Sequence, residues 1–129
     1  MIKEKMDLVK GTCGGLRLKG KYKSKDLNNP LITIITTTFN SSKTLRETID
    51  SIFKQEYNNL ELIIIDGGSS DDTLEIIKNN EDKIDYWLSE TDNGIYHGFN
   101  KGLSLAKGDY IGFVNSDDVL RKNALSILV

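Results

Sequence analysis

Asp117 and Asp118 stand side by side after the apolar run Ile111-Gly112-Phe113-Val114. Adjacent carboxylates repel, and a hard divalent cation such as Mg2+ or Mn2+ would hold both at the tip of a strand. A metal there could grip a diphosphate and neutralise charge on a departing phosphate. Two other polar clusters have the same setting. Thr37-Thr38-Phe39-Asn40 follows one apolar run, and Asp66-Gly67-Gly68-Ser69-Ser70 follows another. Asp66 directly ends its run, where a carboxylate is costly to bury without a partner. Ser69, Ser70 and Asp71 have an equally simple reading as helix caps. Neither G-x-x-x-x-G-K-[ST] nor G-x-G-x-x-G after the first strand is present, so phosphate binding cannot be assigned to a glycine loop.

The elements that must carry these clusters alternate in period. Leu31 to Thr36 is β-branched and apolar on both faces, as in a strand buried within a parallel sheet. Asn40, Ser41 and Ser42 precede Leu45, Ile49, Ile52 and Phe53 at helical spacing, and so predict a capped helix. Leu60 to Ile65 predicts a second strand, and Leu74 and Ile77 share a face of a second helix. Ile84 to Leu88 predicts a third strand. Ile95, Phe99 and Leu103 predict one face of a third helix that stops near Gly108. Tyr110 to Val114 is the fourth strand, and a further helix begins at Asn123. This alternation predicts a doubly wound α/β fold, a mainly parallel sheet with helices on both faces. Ligands of such sheets bind at the carboxyl ends of the strands, where strand order reverses, and all three polar clusters fall there.

Composition sets bounds. The chain has 129 residues and a formal net charge of -2, which gives no overall pull toward nucleic acid. Residues 1–29 are basic and glycine-containing, and read as a flexible leader with room for one short ordered element. Residues 30–129 read as the folded domain. One cysteine, Cys13, leaves no internal disulfide, and no apolar run reaches the roughly 20 residues a membrane helix needs. The expected location is cytoplasmic, with work at the inner membrane surface left open.

From Pro30 to the end, the sequence resembles the family 2 glycosyltransferases, which have the Rossmann-like GT-A fold. It is similar to bacterial members that build surface polysaccharides. The motifs occur in order: Ile34 to Asn40, Glu61 to Thr73, Gly94 to Gly102, and Ala106 to Ile111 leading to Asn115-Ser116-Asp117-Asp118. The resemblance implies a nucleotide-sugar donor, a UDP-sugar first, and a divalent metal, Mn2+ or Mg2+. It implies that Thr37 and Phe39 flank the base and that Asp66 bonds the uracil or ribose. Asp117 would lie nearer the ribose, Asp118 would hold the metal, and Asn100 would line the sugar pocket. His97 stands where similar sequences often have an acid, and reads as a surface residue. The acceptor implied is a saccharide or a lipid-linked saccharide.

In that family the catalytic base lies well beyond the aspartate pair, so it is expected downstream of Val129 and the acceptor half is expected to be missing. A core face left bare by such truncation predicts self-association, as in a homodimer. Three rivals use the same fold: a non-catalytic sugar-nucleotide-binding module, a receiver-like signalling domain and a nucleotidyltransferase. Thr37 and Thr38 stand where a receiver has acids. The stretch after the first strand lacks the basic glycine loop of a nucleotidyltransferase.

Overall fold

The computed structural model describes residues 12–24, 28–91 and 95–120, without the side chains of residues 95 and 96. β1 (Thr12–Gly14), β2 (Ile32–Thr38), β3 (Leu60–Asp66), β4 (Tyr86–Ser89) and β5 (Tyr110–Phe113) form one sheet. The strand order is β1-β4-β3-β2-β5. β2 to β5 run parallel, and β1 lies antiparallel on β4. Three helices make the crossovers: α1 (Leu45–Phe53), α2 (Thr73–Asn79) and α3 (Ile95–Leu105).

The order explains the two layers. From β2 through β3 to β4 the chain steps one way across the sheet, then β5 returns to the far side of β2. Right-handed crossovers travelling in opposite directions put their helices on opposite faces. Accordingly Leu45, Ile49, Ile52 and Ile77 of α1 and α2 pack with Ile32, Ile34, Leu62 and Ile64. On the other face, Leu105 of α3 packs against the cluster of Ile63, Ile65, Tyr86 and Leu88. The doubly wound sheet expected from the sequence is the one observed. β3, covered on both faces, is buried throughout.

The basic leader departs from expectation over part of its length. Residues 12–24 supply β1 and a 3-10 turn at Leu16–Lys19, docked on the start of β3 and β4. Two buried acids draw it in. Arg17 Nη2 lies 2.7 Å from Glu61 Oε1, and Lys23 Nζ lies 2.9 Å from Asp85 Oδ1. Glu61 Oε2 also accepts the Thr33 hydroxyl at 2.6 Å and the Lys107 N–H at 2.8 Å. A carboxylate inside an apolar strand is stable only with such partners, and the leader's cations supply one of them. Charge counting saw those cations as solvated, because their acids lie more than 40 residues away.

Two local expectations are corrected. The sequence places Ile95, Phe99 and Leu103 on one face of α3, but Leu103 is exposed, and Gly98 and Gly102 are buried instead. A Cβ on Gly102 would sit 2.4 Å from Ile35 Cγ2, so the helix rides on β2 through glycine. Hydrophobic periodicity is blind to a face built from missing side chains. Asn40 does not cap α1; Thr44 holds that position, without a side-chain bond. The helix expected from Asn123 lies outside the described residues.

Candidate functional site

The reversal of strand order falls between β2 and β5, and a cleft of about 680 Å³ opens there at the carboxyl ends of the strands. Its walls come from the last residues of β2 and the segment after it (Thr37, Thr38, then Phe39 and Ser41), from Ile65 and Gly67 of β3 and its exit, and from Asn115, Ser116 and Asp117 after β5. Thr91 and Gly98 complete it. Three of the expected site residues, Thr37, Phe39 and Asp117, therefore line one cleft. Phe39 is 60% exposed, which leaves its ring free to stack on a planar ligand.

Asp66 is placed differently from expectation. It is fully buried, and its carboxylate is taken up by the protein. Oδ2 accepts the Ser89 hydroxyl at 2.7 Å and the N–H groups of Ser69 at 2.9 Å and Gly68 at 3.2 Å. Oδ1 accepts the Ser69 hydroxyl. Four donors from the chain itself explain why a charge can end this strand. The carboxylate shapes the Gly67–Ser69 turn, and Gly67 is what reaches the cleft. Gly68 takes a φ of +84°, which a residue with a side chain would adopt only under strain.

Asn40 laces this turn to the one after β2. Its backbone is left-handed, with a φ of 48°, and its Oδ1 accepts the N–H of Ser70 at 2.8 Å. Its own N–H donates to Ser69 Oγ at 2.8 Å. Short polar side chains tolerate the left-handed region because they bond locally. Asp71 accepts both the hydroxyl and the N–H of Thr73 at the start of α2. The Thr73 hydroxyl bond is the main cause of an Asp71 pKa lowered to about 2. The N-cap position of α2 is held by Asp72, without a side-chain bond, so the capping expected of Ser69, Ser70 and Asp71 is corrected: Asp71 closes the turn into the helix from one residue ahead, and Ser69 bonds Asp66.

Asn100 is exposed on α3 and is not part of the cleft wall, which α3 reaches through Gly98 instead. His97 is exposed. Asp117 and Asp118 are both exposed at the end of β5, where Asp118 Oδ2 accepts the Asn115 N–H at 3.3 Å. No group of three or more His, Cys, Asp or Glu side chains that could hold a metal occurs among the described residues. Two exposed carboxylates suit a magnesium-like ion that completes its shell with substrate phosphates and water, and not one caged by protein. The donor set fits a metal that arrives with a diphosphate.

Ser116, Asn115 and Gly67 were within the sequence-marked clusters. Thr91 was missed, although the same rule of looking past each strand points to it once β4 is accepted.

Similarity to known proteins bears on the family and the fold. A model of the family described as Glycosyl transferase family 2 matches residues 33–129. The chain belongs to that family. A glycosyltransferase of Haemophilus influenzae is 41% identical over 102 residues, covering 77% of this chain and 41% of its own length. The GalNAc(5)-diNAcBac-PP-undecaprenol beta-1,3-glucosyltransferase of Campylobacter jejuni is 36% identical, covering 78% of this chain and 34% of the relative. This family 2 chain thus spans about a third to two fifths of the length of these relatives. Among solved structures, S. aureus TarS 1-349 in complex with UDP-GlcNAc superposes with a TM-score of 0.68 at 28% identity, over 75% of this chain and 29% of that one. The mannosyltransferase PcManGT from Pyrobaculum calidifontis, in complex with GDP-Man and Mn2+, has a TM-score of 0.65 at 24% identity, covering 81% and 33%. The GT-A, Rossmann-like fold expected for the family 2 chain is the fold found.

No helix among the described residues is long and apolar enough to cross a membrane.

Proposed function

We propose that this chain is the donor-binding part of a glycosyltransferase that takes its sugar from a nucleotide-diphosphate sugar, a UDP-sugar first. The reading is carried by the convergence of Thr37, Phe39 and Asp117 on one cleft at the strand-order reversal. Residues 30–129 form this domain, with residues 12–24 as an integral strap.

In this reading the Phe39 ring stacks on the base and the Thr37 side of β2 lines its edge. Asp117 takes a ribose hydroxyl, and Asp118 with Asp117 would hold Mn2+ or Mg2+ against the diphosphate. When bound, that ion supplies charge neutralisation for the leaving phosphate. Asp66 acts one step back, through the Gly67–Ser69 turn. Asn100, exposed beside the Gly98 wall, is assigned to the sugar only if the donor extends along α3. Transfer with inversion needs a general base on the acceptor hydroxyl. That base belongs to the acceptor half, and none of the residues named here is given the role. The acceptor is a saccharide or lipid-linked saccharide, met at the cytoplasmic face of the membrane. Tyr110, Ile111 and Phe113 of β5, the outermost strand on that side among the described residues, are exposed and offer a surface on which two copies of this chain could pair.

Calorimetric titration of UDP into the 129-residue chain, with and without Mn2+, tests the donor site. Tighter binding with Mn2+, abolished by Asp118→Ala, is the expected result. Asp118 is an exposed loop residue, so the variant should keep wild-type stability to within about 0.5 kcal/mol. An unchanged Mn2+ effect in Asp118→Ala would remove the metal assignment.

A further inference from the structure

The turn that presents Asp117 and Asp118 has little structure of its own. Asn115 and Asp118 close it with one main-chain bond of 3.0 Å and the longer 3.3 Å bond from the Asn115 N–H to Asp118 Oδ2, and Asp117, Asp118 and Val119 are all exposed. What fixes it comes from α1, on the far side of the chain in sequence. Thr48 is fully buried, and its hydroxyl lies 2.6 Å from the carbonyl oxygen of Asp118 and 2.9 Å from that of Ser116. These two carbonyls flank Asp117. One turn further along α1, Ser51 Oγ accepts the N–H of Leu120 at 3.0 Å. Ahead of the helix, Ser41 Oγ pairs with Ser116 Oγ at 2.8 Å.

We infer that Thr48 is a positioning residue for the aspartate pair: its hydroxyl draws the carbonyls of Ser116 and Asp118 together and so holds the turn that places Asp117 on the cleft wall, with Asp118 next to it. The physical reason lies in the two oxygens. Converging carbonyl dipoles repel, and they stay close only when a proton sits between them. A hydroxyl has one proton to give; the Thr44 carbonyl of α1 lies 3.3 Å away, but the carbonyls on either side of Asp117 are closer, at 2.6 and 2.9 Å, and take the larger share. Removing it would leave two carbonyls facing a methyl group, a costly arrangement for buried acceptors, and the turn would rotate to find water. Thr48 is also an uncommon choice on the buried side of a helix whose other buried positions include Leu45, Ile49 and Ile52. Ser51 has the same character three residues on. Together the two hydroxyls make a polar rail inside the apolar face of α1, and residues 116–120 run along it.

This inference rests on the donor-site reading above, and the test separates the two. Thr48→Val keeps the shape and removes the proton; Thr48→Ser keeps the proton and removes a methyl. Titrating UDP with and without Mn2+ into the full chain, Thr48→Val should lose about tenfold of the Mn2+-dependent gain in affinity, the scale of one lost bond to a buried acceptor. Its affinity without Mn2+ should fall by no more than about threefold, through the Asp117 ribose contact alone, since Phe39 and Thr37 are untouched, and Thr48→Ser should restore the Mn2+ gain to within about threefold. Circular dichroism melting reports whether each variant folds. If Thr48→Val does not fold, Ser51→Ala carries the same expectation with a smaller, roughly threefold, loss. Full retention of the Mn2+ gain in a folded Thr48→Val overturns the inference, as does an equal loss in Thr48→Ser. If Asp118→Ala loses the gain while Thr48→Val keeps it, the donor site stands and the positioning role falls. If the unaltered chain shows no Mn2+ gain, the donor-site reading falls and takes this inference with it.

Discussion

Asp66 and Ser89, adjacent at the ends of parallel strands β3 and β4, are joined by a hydrogen bond of 2.7 Å from the serine hydroxyl to Oδ2. With the bonds from Ser69 and Gly68 it occupies the buried carboxylate and makes Asp66 part of the frame. Its removal should therefore cost stability first. Asp66→Ala leaves the donors of Ser89, Ser69 and Gly68 unsatisfied, and urea denaturation should show a loss of about 3 kcal/mol. A loss below about 0.5 kcal/mol, with weakened UDP binding, would return Asp66 to direct contact with the nucleotide.

The strap formed by residues 12–24 should be equally measurable. Arg17→Met leaves Glu61, only 2% exposed, without its cation, and unfolding should become easier by about 3–5 kcal/mol. Pairing it with Glu61→Gln removes the stranded charge and should recover much of that loss. A double variant no more stable than Arg17→Met would show that the ion pair is not what fastens the strap.

Two carboxylates give opposite pH dependences at acid pH. Asp71 titrates at about 2 in the folded chain, against 3.8 for the free side chain, chiefly because the Thr73 hydroxyl donates to it. A depressed acid stabilises the fold above pH 3.8, and that contribution disappears as the pH falls toward 2. Asp85 is shifted upward by burial, although Lys23 opposes the shift. Its charged form therefore opposes folding, and protonation relieves that cost as the pH falls toward 3.8. Asp71→Asn should flatten the loss of stability between pH 4 and 2, read from urea midpoints across a pH series. An unchanged slope would count against the Thr73 bond as its source.

The approach of α3 to β2 sets the depth of the cleft on the Gly98 side. Gly102→Ala puts a methyl group 2.4 Å from Ile35 Cγ2, and Ile35 is fully buried. Overpacking of this kind costs about 1–3 kcal/mol, even though alanine favours the helix itself. Thermal melting should show the variant less stable than wild type; a gain would mean that α3 sits further from the sheet.

The sequence by itself determined the order of elements, the parallel sheet and the three polar clusters at its carboxyl edge. Those follow from period: Ile32 to Thr38 and Leu60 to Asp66 carry β-branched runs, and Leu45, Ile49 and Ile52 repeat every three to four residues. It also marked Thr37, Phe39 and Asp117, because residues just past a strand are forced to the sheet edge. Only the tertiary structure decided which of the clustered groups are free. Asp66 and Asp117 are the same residue type in the same kind of position, yet one is saturated by Ser69 and Ser89 and the other lines the cleft. The same holds for Arg17 and Lys23, whose acids lie 44 and 62 residues away, and for Thr48, whose carbonyl partners lie 68 and 70 residues on. Local spacing fixes what a segment becomes; hydrogen-bond partners across such distances are set by how the layers stack, which no local pattern records.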